Sequence, residues 1–206
     1  MDMKHRECYL MASPIIDFHH PDVARKAQEL AVGCTTDREI AERCFLFVRD
    51  GILHSWDHKK NPVTLKASDV LLHKTGFCYA KSHLLAALIR ANGIPAGLCY
   101  QRLVSGEFGQ EFFLHGLNAV WLSGYGWYRA DARGLKAGHE AAFTPPVEVL
   151  PYEAKDAGEA ELPEIWAEPL PVIVEGLTRY NDIEEVRRHL PDIDIICSSA
   201  MGPNRY

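Results

Sequence analysis

The sequence predicts an α+β fold in which N-terminal helices precede a central helix with a cysteine at its start, and an antiparallel sheet follows. Three observations predict it. Apolar residues recur at helical spacing as far as Ala91, and runs of strand character begin at Ala96. Between them, "KTGFCYAKSHLLAALIRANGIPAG" sets Cys78 just after a glycine-bearing turn, at the first residue of a helix. At 206 residues and 47% hydrophobic, the chain can bury one core of ordinary size. Residues 1–206 therefore read as a single domain, with the core over about 20–135 and a C-terminal extension over 136–206 packed on it.

The elements follow in chain order. "PDVARKAQELAVG" has Pro21 at a helix start and Gly33 past its end, and "TTDREIAERCFLFVRDGI" opens with Thr36 and Glu39 spaced as a capping box. The second helix buries Ile40, Cys44, Phe45 and Val48, so Cys44 is a core thiol. From Leu53 to Leu72 the pattern breaks into a polar loop with a turn at Asn61-Pro62, where Ser68 and Asp69 could cap a short helix. The central helix carries Ala80, Leu84, Ala87, Leu88 and Ala91 on one stripe, with Lys81, Ser82 and His83 expected on its less buried side. Asn92-Gly93 and Pro95 stop it. "AGLCYQRLV", "FFLHGLNAVWL" and "GWYRADA" read as strands, the last two joined across Ser123–Gly126. Past Gly134 the chain turns rich in Pro, Glu and Ala, suited to lying across a surface. "PVIVEGL" reads as a short strand, and "DIEEVRRHL" as a helix capped by Asp182.

Charge and cysteine usage exclude several classes. With 22 basic and 28 acidic residues the net charge is -6, a field that repels nucleic acid and anionic membranes. Six cysteines lie far apart with no C-x-x-C pair, and no charged-then-apolar leader precedes them, so the expectation is a reduced, cytoplasmic chain. No apolar run reaches the length of a membrane span.

A cysteine at a helix start is favoured as thiolate by the first-turn N–H groups and the helix dipole. A nucleophile also needs a base and a group to orient it. His115 lies near the start of the second strand and Asp131 at the end of the third. A three-residue connection over Ser123, Gly124 and Tyr125 pairs Leu122 with Gly126 and brings Asp131 opposite Leu117. His115 and Asp131 are then diagonal neighbours on one face. Taken singly, the histidine and the carboxylate would be ordinary strand residues; the three together make a triad.

The segments "GFCYAKSHLLAALIRANGIPAG", "LHGLNAVWL" and "GWYRADAR", with "FVRDGILHSWD" upstream, resemble the transglutaminase-like superfamily of papain-type thiol enzymes, which comprises acyltransferases, proteases and peptide amidases. The resemblance is strongest from Phe45 to Gly134. It implies a papain/transglutaminase-like fold with Cys78 as nucleophile, His115 as general base and acid, and Asp131 as orienting carboxylate. Leu117, Asn118 and Ala119 stand where the family usually has an aromatic and often an acidic residue. No calcium loop of the animal cross-linking type is present.

The expected activity is cysteine-dependent acyl transfer on an amide or peptide substrate, ending in hydrolysis. The alternatives are amine transfer and a non-catalytic peptide- or partner-binding domain of the same fold. No cofactor and no metal is expected. His54 and His58 have metal spacing only if helical, which Lys59, Lys60 and Pro62 oppose. Beside the Cys78 backbone N–H, the candidate oxyanion donors are Trp56, Tyr100 and Gln101.

Overall fold

Proline at the first helical position and a threonine–glutamate capping box open the first two helices of the computed structural model, which describes residues 3–107, 110–134 and 140–194. A 3₁₀ helix over Met3–Leu10 precedes α1 (Pro21–Ala31) and α2 (Asp37–Gly51). In α2 the Thr36 side chain accepts from the Glu39 N–H while Glu39 reaches back to the Thr36 N–H. The face it buries is Ala41, Cys44, Phe45 and Val48, with Ile40 at the rim.

The stretch expected to be a loop is more ordered than its polarity suggests. It forms β1 (Leu53–His54), a single turn α3 (Ser55–His58), α4 (Ala67–His73) and β2 (Thr75–Gly76). Lys59 ends α3 in the left-handed region, φ 51°, which is how one helical turn fits before the lysines. Ser68 does not cap α4, whose N-cap is Lys66; its N–H and hydroxyl instead bond the Asp17 carboxylate. β1 and β2 pair in parallel, Leu53 with Thr75 and His54 with Gly76.

The central helix is α5 (Cys78–Ala91), and every residue from Cys78 to Arg90 is buried. It contacts α1, α2 and α4 as well as the sheet. Lys81, Ser82 and His83 are therefore inside, contrary to the stripe read from the sequence, because helices cover the flank that they occupy. Each has a partner: Lys81 Nζ donates to Ile52 O, Ser82 Oγ to Cys78 O at 2.9 Å, and His83 Nδ1 pairs with Leu65 O at 2.8 Å. Gly93, φ 74°, turns the chain out of the helix.

The sheet contains β3 (Ala96–Glu107), β4 (Gln110–Leu122) and β5 (Gly126–Ala130). Beyond Gly134 come β6 (Ala142–Thr144), β7 (Val147–Val149), β8 (Ala160–Glu161), α6 (Pro171–Thr178) and α7 (Ile183–Arg188). The four-stranded antiparallel sheet runs β5-β4-β3-β8. Leu122 pairs with Gly126 and Asn118 with Ala130, the register expected from a three-residue turn. Gly116 and Asn118 of β4 face α5. A Cβ on Gly116 would lie 3.0 Å from Tyr79 Cδ1 and 3.2 Å from Tyr79 Cα, so its absence lets β4 approach the helix start. Asn118 Nδ2 bonds Ser82 O at 2.9 Å.

"PVIVEGL" is helical, not a strand. Pro171 presets the first turn, and the i, i+4 pair Ile173 and Leu177 buries against the core; short runs of β-branched residues do not distinguish the two states. Asp182 caps α7 by accepting from the Glu184 N–H at 2.7 Å. Ile173, Leu177, Ile183 and Val186 join the same hydrophobic cluster as α5. No helix among the described residues is long and apolar enough to cross a membrane.

Candidate active site

Cys78 is the first residue of α5, where the helix leaves its leading N–H groups without intrahelical acceptors. The thiol is 6% exposed and lines a cavity of about 190 Å³. His115 and Asp131 are buried at 2% and 1%, and His115 Nε2 lies 2.6 Å from Asp131 Oδ2. Asp131 follows β5 directly, and the register carries it to the position opposite Leu117. Its second oxygen, Oδ1, accepts from the Arg133 N–H at 2.8 Å, which fixes the carboxylate plane. With Nε2 committed to Asp131, Nδ1 is the ring nitrogen left to face the Cys78 thiol, which lines the same cavity.

The candidate oxyanion donors separate. Trp56 lines the cavity, with Lys59 and Arg187 over its ring. Tyr100 does not reach it. It pairs with Gly116 and so shares the core-facing side of the sheet, where its ring packs edge-on against Trp166 and its hydroxyl accepts from the Leu170 N–H at 3.3 Å. Gln101 is the register partner of His115, yet its amide donates to Tyr152 O at 3.1 Å and Glu161 Oε1 at 2.6 Å, which uses both hydrogens.

Residues not singled out in the sequence complete the site. His54, weighed above only as a metal ligand, lines the cavity with Cys78 and helps to lower the thiol's pKa. Tyr152 packs its ring on His115 with centroids 4.8 Å apart, and Arg133 pairs with Asp57 at 2.8 Å. No group of metal-ligating side chains that could hold an ion occurs among the described residues.

The structure thus brings a buried cysteine at a helix start into one cavity with a histidine that is itself paired with the carboxylate just after β5. A sequence profile described as the transglutaminase-like superfamily matches residues 24–132, just over half of the chain. This chain belongs to the transglutaminase-like superfamily. Its fold is similar to that of a candidate cysteine protease from Cytophaga hutchinsonii, 17% identical with a TM-score of 0.51 over 65% of this chain and 43% of that one. The periplasmic domain of TgpA from Pseudomonas aeruginosa aligns at 18% identity and a TM-score of 0.49, over 64% of this chain and 48% of that one. Red sea bream transglutaminase aligns at 13% and 0.40, over 54% and 26%. The transglutaminase-like chain thus spans less than half of each of these structures. No curated protein matches it in sequence.

The electrostatics of this transglutaminase-like site favour an ion pair. Burial alone would raise the Cys78 pKa, but the charge of His115, with hydrogen bonds from His115 and His54, brings it down to about 6. Burial alone would lower that of His115, but Asp131 and the thiolate raise it to about 10. Between those values the thiolate–imidazolium form is held. Cys44 and Cys99, buried without a cationic hydrogen-bond partner, are both pushed up to about 12. Cys197 lies outside the described residues. Iodoacetamide alkylation at pH 6.5, with peptide mapping, is expected to modify Cys78 while leaving Cys44 and Cys99 unmodified, and the Cys78 rate should rise with a midpoint near pH 6. Modification of Cys44 at the Cys78 rate would contradict this.

Proposed function

We propose that the chain is a cysteine-dependent acyl-transfer enzyme that hydrolyses amide bonds in a peptide or other amide substrate. The observation that carries the reading is the 2.6 Å His115–Asp131 pair, fully enclosed, in one cavity with a thiol at the start of α5.

The residues present account for each step. The Cys78 thiolate attacks the carbonyl carbon, a C–S bond forms, and the carbonyl π pair moves to oxygen. As the oxyanion collapses, the C–N bond breaks and the His115 Nδ1 proton goes to the departing amine. This leaves a thioester and a neutral imidazole. Water then attacks the thioester as His115 takes its proton; the C–S bond breaks, releasing the acid and restoring thiolate and imidazolium. Asp131 stays ionised throughout, holding the ring orientation and stabilising its charged form.

The test is an acyl-type, thiol-directed activity probe on the intact protein followed by mapping of the modified residue. The expected adduct is on Cys78, abolished in Cys78→Ala and strongly reduced in His115→Ala. A chain that takes up the probe equally well as Cys78→Ala would be a binding domain with an incidental reactive site.

A further inference from the structure

The Cys78 sulfur has a second imidazole beside it. His54 lines the same cavity as Cys78 and His115, is 7% exposed, and helps to lower the thiol's pKa. Its position is built from three directions. The parallel β1–β2 pairing sets His54 opposite Gly76, two residues before Cys78, so its backbone is tied to the chain that delivers the nucleophile. Its ring packs edge-on against Phe77 with centroids 5.7 Å apart. Its Nδ1 lies 3.4 Å from Asp57 Oδ2. Arg133 grips that carboxylate through both terminal nitrogens, at 3.0 and 2.8 Å. The residues just after β5 therefore brace two histidines at once: Asp131 braces His115, and Arg133, through Asp57, braces His54.

The proposed reaction has no need of a second base, since His115 and Asp131 supply one. It does need a second donor for the oxyanion; Gln101 and Tyr100 are spoken for elsewhere, and of Trp56 and His54, which both line the cavity, His54 is the one paired to the chain at Gly76, beside the nucleophile. Resting on the reading of Cys78 as nucleophile, we propose that His54 is the side-chain donor of the oxyanion hole, acting through its Nε2–H together with the Cys78 backbone N–H. At rest the negative charge is on sulfur, and the imidazole lies in the same cavity. On attack the charge moves to the oxygen of the carbon newly bonded to that sulfur, and a donor lining the cavity beside the sulfur is within reach of it.

Two reactions of Cys78 separate this role from mere upkeep of the thiolate. Iodoacetamide is attacked at a saturated carbon, iodide leaves and no oxyanion forms. p-Nitrophenyl acetate is attacked at a carbonyl carbon and passes through an oxyanion, and its nitrophenolate leaves without needing a proton from His115. The ratio of acylation to alkylation rate, measured on the full chain at pH 8, therefore reports oxyanion stabilisation. His54→Met, which has no donor, is expected to lower that ratio by about 10²-fold or more. His54→Gln, similar in size to methionine and bearing an N–H donor, is expected to restore it to within about tenfold of wild type. If the methionine variant fails to fold, His54→Phe, which keeps a ring against Phe77, provides the same comparison. Equal losses in both reactions, or an unchanged ratio, would overturn the proposal while leaving Cys78 as nucleophile. A wild-type chain that is alkylated but never acylated on Cys78 would overturn the nucleophile reading, and this proposal with it.

Discussion

Cys78→Ala is expected to abolish turnover, and His115→Ala to come close, with kcat/KM falling at least about 10³-fold for either change. The size of the effect follows from enclosure. Alanine at 78 removes the sulfur that forms the thioester in the proposed mechanism. Alanine at 115 removes the charge that outweighs burial at Cys78, so the thiol returns to its protonated form, and it removes the proton donor for the leaving amine. The losses should not add. Once the nucleophile is gone its base has nothing to activate, so Cys78→Ala/His115→Ala should be no worse than Cys78→Ala. Both variants should still fold, because the core of α5 is Leu84, Leu85, Leu88 and Ile89. A double variant measurably slower than each single one, on a substrate the wild type turns over, would mean that two independent centres share the activity.

The central helix and the sheet register were legible in the sequence because each rests on local chemistry. Gly93 and Pro95 mark where α5 must end, and a three-residue turn leaves Leu122 only Gly126 as a partner. From that register the meeting of His115 and Asp131 follows by counting. Position in the wider fold was not legible in the same way. Lys81, Ser82 and His83 lie on a flank polar enough to read as solvated, and only the helices covering that flank bury them. His54 was hidden for a related reason: two residues of parallel pairing with Thr75 and Gly76 carry no periodicity, so nothing local connects "HSWDH" to "GFCY". Tyr100 and Gln101 differ by one position and therefore by one face of the sheet. Assigning either to the cavity required knowing that Gly116 faces Tyr79 and that Glu161 stands beside Gln101. Tyr152 reaches His115 from a segment whose composition shows only that it covers a surface.

Asp131→Asn is expected to lower kcat about 10²- to 10⁴-fold while leaving the fold intact, and to narrow the pH range of whatever activity survives. The carboxylate makes two contacts, and asparagine can keep only one of them unchanged. Its amide oxygen can still accept from the Arg133 N–H, as Oδ1 does at 2.8 Å. The amide nitrogen then faces His115 Nε2, where a carboxylate oxygen now sits at 2.6 Å, and as a donor it requires Nε2 to be an acceptor. The neutral ring must then carry its proton on Nδ1, the atom facing Cys78, and cannot accept one from the thiol or from the deacylating water. The pH dependence follows from the charge. Asp131 helps to raise the His115 pKa to about 10, so its loss moves the alkaline limb downward. A less protonated His115 withdraws the cation that holds Cys78 near 6, so the acidic limb moves upward. Wild-type activity should therefore rise through about pH 6 and fall through about pH 10, and the Asp131→Asn profile should lie inside it on both sides. Rates measured from pH 5 to 11 decide the matter. A uniform loss with both limbs unmoved would mean that Asp131 positions the ring without stabilising its charge, and an unaltered rate would remove it from the mechanism.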